Sequence, residues 1–222
     1  MKIGVLGTGM VGQAIGGRLV ELGHETRMGS RTADHPGATE WAANLGAHAS
    51  NGTFADAASF GDLVFNCTPG TVSLAVLGAL AGEPLQGKVL VDVSNALDFS
   101  AGFPPSLAVA NTDSIGEQIQ RALPDTRVVK ALNTLNADLM VHPSRLEGPH
   151  DLFIAGDDAQ AKSEVRTLLL EFGWSTNNIH DLGGIICARG TEMYLPLWLQ
   201  LMGTLGTPAF NVHVVRADHP TG

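Results

Sequence analysis

Charge is scarce in this chain, and so are cysteines and long apolar runs. Asp, Glu, Lys and Arg make 16% of the 222 residues and apolar residues 44%, a balance that fits a compact core. The two cysteines, Cys67 and Cys187, stand far apart with no metal-ligand spacing. This usage suits a reducing, cytoplasmic compartment and excludes a disulfide framework, and no metal site is expected. The longest apolar stretch, Met193–Leu205, is interrupted by Pro196 and Gln200 and is too short to cross a bilayer. A strand pattern begins at once, so no signal peptide is expected before the fold. A net charge of −9 argues against nucleic acid as a partner and leaves phosphate recognition to local basic residues. Internal repeats and low-complexity segments are missing too. The length suits one full domain with a smaller appendage.

What is there begins at residue 2. Lys2-Ile-Gly-Val-Leu-Gly-Thr-Gly-Met-Val-Gly12 is an apolar run opening into G-x-G-x-x-G. Gly7 allows a tight turn after a first strand, Gly9 lets backbone approach a pyrophosphate, and Gly12 lets the next helix pack close to the sheet. Residues 10–22 place Val11, Ile15, Leu19 and Leu22 on one helical face, so that helix aims its free N–H groups at the phosphates. A second strand is expected over 24–28, followed by Gly29-Ser30-Arg31-Thr32. A carboxylate there would accept from the 2′-hydroxyl of NAD, and none lies between Thr26 and Ala33. Ser30 and Arg31 instead offer a hydroxyl and a guanidinium to the 2′-phosphate of NADP.

Farther on, strands and helices alternate, which predicts an α/β, Rossmann-type, doubly wound and mainly parallel sheet with a small C-terminal helical region. Helices are expected over 38–46, 53–60, 70–80 and 158–172, and strands over 63–67, 88–92, 127–132 and 151–155. A long helix over 184–205 should bend at Pro196. The loop Ser94–Asp113 is irregular, and residues 216–222 read as a frayed tail. A division near 135 separates a dinucleotide-binding domain, 1–135, from a C-terminal region, 136–222, that packs on it.

In such sheets ligands sit beyond the C-terminal strand ends. Three polar exits reach that edge: Cys67-Thr68-Pro69-Gly70, Asp92-Val93-Ser94-Asn95 and Leu132-Asn133-Thr134-Leu135-Asn136. They offer hydroxyls and amides but no evident acid–base pair, so no catalytic residue is assigned. Asp92 reads better as a loop brace than as an acid, and Cys67 as a small buried residue. His142, His150, His180 and His213 lack metal spacing and read as surface or packing residues. Arg189 and Glu192 are three apart on a helix and can pair. The apolar residues around Tyr194 read as core or as a homodimer contact before they read as a pocket.

Together the segments Gly7–Gly12, Gly29–Arg31, Thr68-Pro69, Val128–Thr134 and Phe153–Asp158 resemble the family of F420-dependent NADP oxidoreductases, over most of the chain to about Asn211. The Gly-Ser-Arg and Lys-Ala-Leu-Asn-Thr segments are also similar to the NADPH-binding domain of the STEAP metalloreductases. The resemblance implies Thr8, Gly9, Met10 and Val11 at the pyrophosphate, and Gly29, Ser30 and Arg31 at the 2′-phosphate. It also implies Thr68 and Pro69 along the dinucleotide, and Asn133 and Thr134 near the nicotinamide. Asn133 stands where F420-using members carry a histidine and agrees better with the STEAP version. The implied cofactor is therefore NADP(H), with F420, FMN or FAD as exchangeable acceptor. Hydride transfer between two cofactors needs little side-chain help, which suits the missing acid–base pair. A ketone or imine reductase would need a proton donor, Tyr194 or Asp92. A sensor that binds NADPH without turnover would need none.

Overall fold

Residues 1–217 are described by a computed structural model. Lys2–Leu6 forms β1, whose apolar side chains are all buried, and Met10–Glu21 forms α1. There follow β2 (Glu25–Ser30), α2 (Pro36–Leu45), β3 (Ala49–Thr53), α3 (Phe54–Phe60), β4 (Leu63–Asn66), α4 (Gly70–Gly78) and β5 (Val89–Asp92). A small hairpin pairs β6 (Leu97–Asp98) with β7 (Ser106–Leu107) inside the stretch read as an irregular loop. Then come α5 (Ile115–Ala122), β8 (Arg127–Ala131), α6 (Ala137–Val141), β9 (Leu152–Ala155), α7 (Ala159–Glu171), β10 (Ile179–Asp181), α8 (Ala188–Met193) and α9 (Leu195–Leu205).

Among the described residues one sheet of eight strands has the order β10-β9-β8-β5-β4-β1-β2-β3. β1 pairs in parallel with both β2 and β4, so strand order reverses there, and a crevice opens above that reversal. The fold is the expected Rossmann-type arrangement with one departure from strict alternation. β9 runs antiparallel to β8, and β10 is parallel to β9. The largest apolar cluster runs from Ile3 in β1 through Val129 in β8 to Trp174 after α7.

Local chemistry explains where the elements differ from the expected bounds. β2 continues to Ser30 because its ladder with β3 runs through Gly29↔Gly52 and Ser30↔Thr53. The 184–205 segment is a 3-10 turn, Ile185–Cys187, followed by two helices that break at Tyr194. Pro196 lies in the first turn of α9, where its missing N–H leaves no bond unmade.

Beyond α9 the chain returns to β9. The Asp151 amide donates to the Val212 carbonyl at 2.8 Å, and the Asp151 carboxylate accepts from the Val214 amide at 2.6 Å and Asn178 Nδ2 at 2.8 Å. His213 Nδ1 lies 3.2 Å from the same carboxylate. Burial alone would raise this carboxyl, but its donors from Asn178, Val214 and His213 outweigh that and hold it at about 2. Its folded value is thus below its usual 3.8, so the clamp stabilises fully above that value and weakens as pH falls toward 2. Thermal melts between about pH 4 and pH 2 should show Asp151→Asn losing less stability than wild type, from a lower start. Of the expected frayed tail, Arg216 and Ala217 are exposed, and residues 218–222 lie outside the described residues.

Candidate functional site

The crevice begins at the glycine turn. Gly7 has φ +120°, a conformation that other residues rarely adopt, and a Cβ on Gly12 would lie 2.0 Å from the Gly7 carbonyl oxygen. A Cβ on Gly9 would meet nothing within 4 Å, so the turn is open where backbone must meet a ligand. α1 starts at Met10 with no side-chain cap and no acid in its first turn. Its free N–H groups are therefore available to an anion. Thr8 is half-buried and Met10 exposed at this opening, with Val11 behind them.

At the end of β2, Gly29 is buried against Ala57, and Ser30 Oγ donates to the Thr32 carbonyl at 2.5 Å. Arg31 is exposed and has no ion-pair or hydrogen-bond partner among the described residues. Its guanidinium is the group free to take a phosphate at this position.

The exits of β4, β5 and β8 rest on a connected polar floor. Asn66 Nδ2 donates to Ser73 Oγ at 3.0 Å and to Asp92 Oδ1 at 2.8 Å, while Thr68 Oγ1 donates to Asn66 Oδ1 at 2.6 Å. Ser94 Oγ donates to Asp92 Oδ1 at 2.8 Å. Thr68 and Ser94 thus turn their hydroxyls inward, and Pro69 is exposed above them. Asp92 is the loop brace, fully buried and saturated with donors. Burial also pushes the Cys67 thiol up, which leaves it inert.

Lys130 anchors this floor. Its ammonium is 1% exposed and lies 2.8 Å from Asp92, 2.8 Å from Glu192 and 2.5 Å from the Ser94 carbonyl. Burial works against its charge, but the two carboxylates outweigh burial and raise its pKa. The pairing of Arg189 with Glu192 expected from their spacing does not form. Glu192 instead accepts from Lys130 and from the Ile115 and Gly116 amides at 2.8 and 3.0 Å. Arg189 pairs bidentately with Glu117 at 2.6 and 2.8 Å and holds that carboxyl below its usual range. Tertiary partners win because both acids are buried and must be matched by charge or by a helix N-terminus. Sequence spacing gives no signal for Lys130 or for the pairing of Glu117 with Arg189, 72 residues on.

Beyond Lys130, Leu132 has φ +64°, and the turn it makes brings Asn133 and Thr134 to the edge. Asn95 Nδ2 donates to the Asn133 carbonyl at 2.8 Å, and Asn133 Nδ2 donates to Asn95 Oδ1 at 3.0 Å. This ties the β5 and β8 exits together. Asn133 Oδ1 and Thr134 Oγ1 are buried without a partner among the described residues. Thr134 opens onto a cavity of about 260 Å³, also lined by Phe153, Leu182, Gly190, Thr191, Tyr194 and Val212. A larger cavity of about 470 Å³ at Arg127 and Asp157 lies at the opposite sheet edge, where β8 begins. Among the described residues no group of three His, Cys, Asp or Glu side chains could hold a metal, and no helix is long and apolar enough to cross a membrane.

The family described as NADP oxidoreductase, coenzyme F420-dependent, matches residues 2–96. The F420-dependent NADP reductase of Methanothermobacter marburgensis is 30% identical over 214 residues, covering 90% of this chain and 92% of that protein. The chain belongs to the F420-dependent NADP reductase family. It is accordingly an NADP-dependent oxidoreductase. A provisionally named F420-dependent NADP-reductase from Arthrobacter sp. FB24, solved by crystallography, is similar to this family member with a TM-score of 0.92 and 49% identity, over 97% of this chain and 100% of the other. Metalloreductase STEAP3 of Rattus norvegicus is 29% identical over 89% of this reductase-family chain, which spans 38% of the length of STEAP3.

Proposed function

We propose that this reductase-family protein passes hydride between NADP(H) and a deazaflavin or flavin, F420, FMN or FAD. The observation that carries the reading is the cavity beside Thr134. It lies on the sheet edge shared with the glycine turn, and its lining contains no carboxylate, imidazole or amine. A reaction between two cofactors asks the protein mainly to orient them and exclude water.

The residues fit the dinucleotide. The open backbone at Gly9, with Gly7, Thr8, Met10, Val11 and Gly12, would hold the pyrophosphate at the start of α1. Arg31, with Gly29 and Ser30, would hold the 2′-phosphate. Thr68, Pro69, Ser94 and Asn95 would line its path, and the unpartnered oxygens of Asn133 and Thr134 would face the nicotinamide end. Bound NADPH supplies the hydride. Residues 1–135 form the dinucleotide half in this reading, and 136–222 complete the acceptor side. We further infer a cytoplasmic homodimer whose contact includes the exposed Leu197 and Leu205 of α9, checked by mass in solution.

A second reading, a ketone or imine reductase, is favoured by the unpartnered hydroxyl of Tyr194. Asp92 does not serve it, being sealed in the floor. NADPH oxidation followed in parallel with F420, FMN, FAD, a ketone, an imine and no acceptor tests the proposal. Turnover with F420 or a flavin is expected, and turnover only with ketones or imines would favour the second reading.

A further inference from the structure

Arg31 has no ion-pair or hydrogen-bond partner among the described residues, so no neighbour aims its side chain. Any order its guanidinium has toward a phosphate comes from the backbone that carries it. That backbone is the connection 31–35 between β2 and α2. Residues 31–34 are all exposed, so packing does not hold them. Within the connection, the Thr32 carbonyl accepts from Ser30 Oγ at 2.5 Å and from the His35 amide at 3.3 Å. These bonds curl the segment on itself and tie it to no other element. Among the described residues one hydrogen bond does so: Asn51 Nδ2 donates to the Ala33 carbonyl at 2.8 Å.

Asn51 is well placed to act as an anchor. Its backbone lies in β3 opposite Met28, in a ladder that continues through Gly29↔Gly52 and Ser30↔Thr53. Thr53 is fixed in turn by a capping box with Asp56 at the start of α3. The other N–H of the Asn51 amide reaches Thr39 Oγ1 in α2 at 3.2 Å, so one side chain joins strand, connection and helix. Asn is a poor strand residue, and these two bonds are what it supplies there.

We propose that Asn51 is a positioning residue for nucleotide selection. By holding the Ala33 carbonyl it fixes the connection from which Arg31 reaches the 2′-phosphate of NADP(H), and it does so without touching the nucleotide. The inference rests on the assignment of Arg31 above. Without this bond the connection samples more conformations, and binding must order them again. The cost falls on NADPH alone, because NADH has no phosphate for Arg31 to meet.

Asn51→Leu keeps the size of the side chain and removes both donors. Fluorescence titration of wild type, Asn51→Leu, Arg31→Ala and the double variant with NADPH and NADH closes a mutant cycle. Asn51→Leu should weaken NADPH about 5- to 10-fold, the equivalent of one hydrogen bond, and NADH by no more than about 2-fold. In the Arg31→Ala background the same substitution should cost NADPH nothing further. Any unfolded fraction lowers the number of sites for both nucleotides and leaves the Kd of the folded remainder readable. An equal loss for NADPH and NADH, or a loss for NADPH that is the same in both backgrounds, would overturn the inference and leave Arg31 at the 2′-phosphate. Failure of the parent assignment shows in Arg31→Ala alone, as an equal loss for the two nucleotides, and this inference then falls with it.

Discussion

Lys130→Met should cost about 3–5 kcal/mol of stability, because it leaves two buried carboxylates without their shared cation. Asp92 and Glu192 are 0% and 2% exposed. Asp92 would keep its donors from Asn66 and Ser94, and Glu192 those from the Ile115 and Gly116 amides. The Ser94 carbonyl would lose its partner as well. For a chain of this length the loss corresponds to a fall of roughly 10 °C in Tm. Adding Glu192→Gln to Lys130→Met should recover part of the loss, because one unpaired charge is removed. A single variant that melts with wild type, at neutral pH, would show that the floor does not depend on this ion triad.

The second large effect concerns selectivity. Arg31→Ala should weaken NADPH binding about 30- to 150-fold, the equivalent of about 2–3 kcal/mol for charge-assisted bonds to a phosphate. NADH, which lacks that phosphate, should bind nearly as before. The reason lies in what Arg31 does not touch. It is exposed and unpaired among the described residues, so its removal strands no buried group and should leave Tm unchanged. Titrating both nucleotides by nicotinamide fluorescence decides the matter, and an equal loss for the two would remove Arg31 from the 2′-phosphate.

The two effects mark what the sequence shows and what it hides. β1, the glycine turn and α1 are legible because their determinants are local: a buried run, three glycines and one apolar face. The proposal for Arg31 rests on local determinants too, a place just after a strand with no acid between Thr26 and Ala33. The antiparallel setting of β9 is not legible, since a short buried apolar strand reads alike in either direction. α5 carried a signal, Ser114 followed three places on by Glu117, and Ser114 Oγ does accept from the Glu117 amide at 3.2 Å. That spacing marks a helix start. Lys130 had a place in a recognisable segment but no physical role until folding brought Asp92 and Glu192 to it from 38 and 62 residues away in sequence. Arg189 and Glu192 show the converse, a permitted local pair displaced by stronger distant partners.

The central claim is direct hydride transfer from NADPH to a deazaflavin or flavin ring. It is tested most directly by single-turnover absorbance with F420 and FMN, comparing NADPH with NADPH deuterated at C4. Nicotinamide oxidation and ring reduction should share one rate constant that falls with deuterium. Tight NADPH binding with neither ring reduced, or two unrelated rates, would contradict it.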